Sequence, residues 1–146
     1  MPFGLILAGL VALGAVQAAP STPPSPQDQA RIGSLLSGKP IRIIDLQHGT
    51  FDHRGSVSRA RVEGCNLVLA NNGLEPAALT VPLGNLLFVQ GDDVGMVEIT
   101  RVQSGSPSLI FTVGDAAYDE AMRLLTRAAT GCGARLVGPP AIVSGP

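Results

Sequence analysis

The sequence predicts a small α+β protein: an antiparallel β-sheet or partly open barrel of about six to seven short strands, packed against a C-terminal helix over 115–130, with a short N-terminal helix over 26–37. Three observations predict it. Short Val/Ile/Leu-rich runs, broken by Gly, Asn, Asp and Pro, recur through the middle of the chain at the spacing of antiparallel strands. Helical periodicity of apolar residues is confined to the two ends of this region. A composition of 45% hydrophobic and 14% charged residues in a chain of 146 supports one buried core of ordinary size.

The chain opens on a targeting signature. Phe3 to Val16 is an uncharged apolar run, and Val16-Gln17-Ala18 sets small residues where a signal peptidase reads. No Lys or Arg precedes the run, so only the terminal amine supplies positive charge. Segment 1–18 therefore reads as a secretory signal peptide, with an uncleaved N-terminal anchor as the alternative, because about 17 apolar residues is the lower bound for a membrane span. No Cys lies in or just after the segment, which excludes a lipid-modified N-terminal cysteine. Residues 19–25 are a Pro/Ser-rich linker, 26–137 a single folded domain and 138–146 a flexible tail. The expected location is extracytoplasmic, periplasmic or secreted, with no membrane contact unless the leader stays attached.

Ser25, Pro26 and Asp28 form a helix start: a capping hydroxyl, Pro in the first turn and an acid near the positive end of the dipole. Ile32, Leu35 and Leu36 make the apolar stripe, and Gly38 with Pro40 ends it. Strands are expected near 41–47, 56–62, 65–71, 78–83, 86–90, 96–102 and 108–113. In the last helix, Asp115 is the expected cap. Tyr118, Met122, Leu125 and Ala129 share a face, with Ala121, Leu124 and Ala128 beside them. Asp119 and Glu120 lie toward its positive end and Arg127 toward its negative end, and Gly131 and Gly133 stop it.

A two-residue turn at Glu63-Gly64 would set Val62 against Cys65, Ala60 against Leu67 and Ser58 against Leu69. Alternation then puts those residues on one face and Arg59 and Arg61 on the other. The apolar face needs cover, and the 115–130 helix offers it. Cys65 would point at that helix, and Cys132 sits just past its end, so a Cys65–Cys132 disulfide is expected in an exported chain with two cysteines. The alternative, a redox-active or metal-binding thiol, has no CxxC behind it.

A run of about seven strands followed by one capping helix resembles the element order of pleckstrin-homology-like domains, one candidate for this fold. The resemblance implies an architecture. It carries no activity with it.

Composition excludes some functions. A net charge of -1, no Trp and one Tyr leave neither the positive field nor the stacking platforms that nucleic-acid binding uses. The densest polar cluster is Asp45, His48, Asp52 and His53, which holds both histidines. Imidazole and carboxylate are ligands of zinc and non-haem iron, so this set is the candidate site for a transition metal, the one cofactor to consider. Its plainer reading is a solvated connection between strands. Asp92-Asp93 reads as a turn tip rather than a carboxylate pair, since adjacent side chains diverge on an extended chain. Ser104-Gly105-Ser106 lacks the strand–turn–helix setting of a nucleophile elbow, and no phosphate-binding glycine loop or N-glycosylation sequon occurs. No motif marks an enzyme.

Charge placement says more. Lys39, Arg42, Arg54, Arg59 and Arg61 face only Asp45 and Asp52 in their stretch, whereas Val62 to Thr100 carries acids and no base. Arg54, Arg59 and Arg61 on one outer face would recognise a carboxylate, a phosphate or an acidic protein surface. The alternative is a solvated face whose Arg stems cover apolar surface. The sequence thus points to a non-catalytic binding or accessory protein, its partner an unidentified protein or small anionic ligand. A metal-binding protein or metal-dependent enzyme is the alternative.

Overall fold

The computed structural model describes residues 21–45, 51–72, 77–92, 94–101 and 108–137. Helix α1 (Pro26–Leu36) leads into strands β1 (Pro40–Asp45), β2 (Phe51–Glu63), β3 (Asn66–Asn72) and β4 (Ala78–Pro82). A 3-10 turn (Leu83–Asn85) leads into β5 (Leu86–Gly91), β6 (Met96–Arg101), β7 (Ser108–Thr112) and helix α2 (Asp115–Gly131). The strands form one antiparallel sheet in the order β4-β3-β2-β1-β7-β6-β5. Its edges, β4 and β5, are consecutive in sequence, so the sheet curls around a core and stays open between them. Helix α2 packs on β5, β6 and the 3-10 turn and fills that gap, while α1 packs on β2 and α2.

One face of every strand feeds the core. Ile41, Ile43, Val57, Leu67, Leu69, Val81, Val97, Ile99, Leu109 and Phe111 are buried together with Ile32, Leu35 and Leu36 of α1 and Ala121, Leu124, Leu125, Ala128 and Ala129 of α2. The two helical stripes read from the sequence are thus the two helical contributions to the core. Tyr118 and Met122 flank it, partly buried.

The ends of the helices follow elementary capping chemistry. Ser25 Oγ accepts the amide of Asp28 at 3.1 Å. Helix α2 is entered differently from the expectation: Gly114, at φ +86, is the N-cap and offers no side-chain bond, and Asp115 is the first helical residue. The carbonyl of Gly95 takes the amides of Val113 and Gly114, just ahead of the first turn, tying the helix entry to the β5–β6 turn. The exit is a Schellman closure, with Gly133 at φ +97. The Ala134 amide bonds the Ala129 carbonyl at 2.9 Å and the Gly133 amide that of Thr130 at 3.0 Å.

The β2–β3 hairpin is displaced by one residue from the expected turn. Glu63 pairs with Asn66, Val62 with Leu67 and Ala60 with Leu69, so Gly64 and Cys65 are the turn residues. Gly64 takes the positive φ, +61, that the first position of a type II′ turn requires. The shift preserves the faces because it moves each partner by two positions: Ala60, Val62, Leu67 and Leu69 still point inward. Ser58 does not join them. It is the extra residue of a β-bulge between Val57 and Arg59, is exposed, and bonds the Ala70 carbonyl at 2.8 Å through its hydroxyl.

The disulfide joins Cys65 to Cys132 as expected, with a Cα–Cα distance of 5.7 Å. It links the β2–β3 turn to the end of α2, and the Leu83 amide bonds the Cys65 carbonyl at 2.8 Å in the same corner. Among the described residues no helix is long and apolar enough to cross a membrane. The leader 1–18 and the tail 138–146 lie outside the described residues.

Candidate functional site

Strand β2 carries the three arginines singled out from the sequence, and its construction sets where they point. In a regular strand, Arg54 and Arg59 are an odd number of residues apart and would face opposite ways. The bulge at Ser58 resets the alternation. Val57, Ala60 and Val62 are buried, and Arg54, Arg59 and Arg61 are all exposed on the outer face. No side of β2 is left unsupported. Residues 51–56 pair with β1, but past Val57 that side is held by α1 and the turn that follows it. The Gly38 amide bonds the Val57 carbonyl at 2.7 Å, and the Val57 amide bonds that of Lys39 at 2.9 Å. The Ala60 amide bonds Ser37 Oγ at 2.9 Å. Gly33 permits this approach, because a Cβ there would stand 2.8 Å from the Ala60 carbonyl oxygen.

The three arginines form two groups rather than one. Arg59 and Arg61 border a groove of about 390 Å³ between β2 and α1, with Gln29, Ser34 and Ser37 on its far wall. Arg61 is held by Glu63 on its own strand at 3.1 Å. Arg54 lies on the order of 15 Å back along the strand. It stands directly across from Arg42 of β1. The sequence shows Arg42 only as part of the basic stretch; its position opposite Arg54 is a matter of register, which no local motif encodes.

A further cleft, of about 630 Å³, separates α1 from α2. Two ion pairs cross it: Arg31 Nε to Glu120 Oε1 at 2.8 Å, and Arg127 to Asp28 at 2.7 Å. Arg127 therefore serves the helix–helix contact; it lies short of the last turn of α2, which carries no base. The hydrogen bond from Arg31 holds the Glu120 carboxyl below its ordinary range, and the same bond raises the Arg31 guanidinium. A depressed carboxylate contributes stability above its unfolded value of 4.5 and loses it as pH falls through the lower folded value. Glu120→Gln is expected to lower the melting temperature slightly at neutral pH, less so in high salt, and to match the parent in strong acid. A deficit that persists in acid would mean that the side chain acts through packing instead.

Most of the metal candidates lie outside the described residues. His48 and the side chains of Asp45 and Asp52 lie outside the described residues. His53 is half-buried on β2, opposite Ile43. Among the described residues no three His, Cys, Asp or Glu side chains converge as metal ligands would. Asp92 is a turn residue: its Oδ1 accepts the amides of Val94 at 3.0 Å and Met96 at 3.2 Å. Asp93 and the Ser104-Gly105-Ser106 stretch lie outside the described residues. Asn71, an ordinary strand residue by its sequence, is buried on the inner face of β3 with both amide atoms unpartnered. That is costly, because each unmade bond forfeits hydration.

A curled seven-stranded antiparallel sheet, opened between its edge strands and plugged there by a C-terminal helix, is a pleckstrin-homology-like fold. Among solved structures the chain is similar to one described as "PH domain from PfAPH", with a TM-score of 0.50 and 13% identity over 73% of this chain and 92% of that one. No family model matches the sequence, and no curated protein does. The likeness is one of fold.

Proposed function

We propose that this protein is a non-catalytic binding or accessory module of the extracytoplasmic space, which captures an acidic partner through Arg54, Arg59 and Arg61. One observation carries the reading: a bulge in β2 turns all three guanidiniums to the outer face of a strand whose inner face is core. Exposed guanidiniums at strand positions are fixed at the stem and can meet carboxylates or phosphates in bidentate fashion. Arg54 and Arg59 have no ion-pair partner among the described residues. The Cys65–Cys132 bond supports an oxidising compartment, and the apolar leader supports export.

The test is an amide NMR titration with polyglutamate at low salt. Shifts are expected to cluster on β2, and Arg59→Ser with Arg61→Ser is expected to weaken the interaction about tenfold while the fold is kept, since each charged hydrogen bond is worth about 1.5–3 kcal/mol before solvent screening. Unchanged affinity in the double variant would remove this surface from consideration. Mass spectrometry of protein exported through its own leader tests the location. The mass of residues 19–146 less two hydrogens is expected, and an intact leader retained in membranes would favour the anchor.

A further inference from the structure

Helix α1 has a groove along each side, and the two meet at its outer crest. Ala30 and Ser34 line both the groove of about 390 Å³ shared with β2 and the cleft of about 630 Å³ shared with α2. The outer walls of both are basic. On the β2 side Arg59 and Arg61 line the groove, and Glu63 pairs with Arg61. On the α2 side Arg31, Arg123 and Arg127 line the cleft with Asp28 and Glu120, which pair with Arg127 and Arg31. Each side thus keeps one arginine beyond its acids. Among the described residues neither Arg59 nor Arg123 makes an ion pair, and Asp119, exposed one turn before Arg123, does not close on it. Arg123 adds only a weak attraction for the Glu120 carboxyl that Arg31 already bonds. The two walls also stand at one level of α1. A Cβ on Gly33 would lie 3.5 Å from the Arg61 Cα, which sets Arg59 and Arg61 beside the middle of the helix. Opposite, Arg31 bonds Glu120, and Arg123 follows Glu120 on the same side of α2.

We infer that this face docks an acidic α-helix of a partner protein, laid over the crest of α1 with carboxylates along both its edges. One row meets Arg59 and Arg61, and the other meets Arg123. The spacing selects the occupant. The two basic walls are separated by α1 itself, and hence by about 10 Å, the width of a helix. A second helix carries two rows of side chains about that far apart and reaches both walls at once. An extended segment, about 5 Å wide, reaches one. The short side chains of Ala30 and Ser34 let the two helix axes approach to the lower part of the usual range of about 8–10 Å. The inference rests on the acidic-partner reading of β2 and adds to it α1, Arg123 and the helical form of the partner.

Amide NMR titration of the whole exported protein tests the inference. The probe is a peptide of about 15 residues with Ala on one stripe and Glu along both edges, held helical by a hydrocarbon staple because a helix of that length is marginal alone. Saturable shifts are expected at residues 27–34, 59–61 and 119–127. A stapled peptide with Glu along one edge only, and an unstapled one broken by a central proline, are each expected to bind roughly fivefold more weakly or worse. Arg59→Ser and Arg123→Ser are each expected to weaken the stapled peptide about tenfold at low salt. Ala30→Tyr, at an exposed position, should block it. Arg135→Ser removes the same charge beyond the end of α2 and should leave the affinity within about twofold. Binding that ignores Arg123→Ser and Ala30→Tyr but is lost in the Arg59→Ser, Arg61→Ser variant would overturn the helical seat and leave the acidic-partner reading of β2 standing. Binding of neither this peptide nor polyglutamate would remove both. Equal affinity for the proline-broken peptide would overturn the helix as occupant. A concentration-dependent dimer that Ala30→Tyr dissolves would overturn the partner protein and give the face to a second copy of the chain.

Discussion

Opening the Cys65–Cys132 bond is expected to cost about 4 kcal/mol of stability, most of it through the unfolded chain. The bond closes a loop with a sequence separation of 67, and in the chain-entropy model a loop of that length restricts the denatured ensemble by about that amount. A domain of this size has a total of roughly 5–15 kcal/mol to lose, so the effect is a large fraction of the whole. The native state contributes as well, because the bond fastens the β2–β3 turn to the end of α2, where the Cys65 carbonyl also receives the Leu83 amide. Gly84 belongs to the same corner: a Cβ there would lie 2.5 Å from the Cys132 carbonyl oxygen. The double variant Cys65→Ala, Cys132→Ala is expected to melt roughly 10–20 °C below the parent. The oxidised protein should take up no thiol label without reductant. A double variant melting within a few degrees of the parent would show that packing of α2 alone closes the sheet.

The parts of this fold that follow from local chemistry were legible in the sequence. Most strands stand between turn-forming residues, and the helices show apolar stripes that become their core faces; β2 is the exception, since it starts at Phe51 and pairs Asp52, His53, Arg54 and Gly55 with β1 where a solvated connection was expected. The disulfide was legible for a subtler reason. The expected hairpin turn was one residue early, yet partners moved by two positions keep Ala60, Val62, Leu67 and Leu69 on their side of the sheet, so Cys65 stayed beside α2. The bulge at Ser58 was not legible. Val57-Ser58-Arg59 contains no glycine or proline to announce it, and it arises where the far side of β2 passes from β1 to α1. The same limit applies to the candidate site. That Arg54, Arg59 and Arg61 are basic is local information; that Arg54 meets Arg42 is a consequence of strand register. Capping of α2 by Gly114 rather than Asp115 is likewise tertiary, since the Gly95 carbonyl holds the Val113 and Gly114 amides and so fixes where the chain turns into the helix. Asn71 shows the converse: an ordinary strand residue whose burial only the closed sheet reveals.

Deleting Ser58 is expected to abolish the cooperative fold, although the residue is exposed and buries nothing. Without the extra residue, β2 alternates regularly from Phe51 to Glu63, and one half must turn over relative to its neighbours. Inverting the second half would drive Arg59, Arg61 and Glu63 inward and bring Ala60 and Val62 to water. Inverting the first would drive Arg54 inward and expose Val57, now fully buried. Each buried, unpaired charge costs several kcal/mol, so either choice consumes the stability of an ordinary domain. Ser58→Ala keeps the residue count and loses only the bond to the Ala70 carbonyl, for about 1 kcal/mol or less at an exposed site. Circular dichroism and amide NMR of the two variants separate the roles. A collapsed deletion variant beside a native-like Ser58→Ala assigns the effect to chain length and hence to the facing of the arginines. A deletion variant with native spectra and melting would mean that β2 can re-form its bulge at another residue, and the outward set of Arg54, Arg59 and Arg61 would no longer depend on this one position.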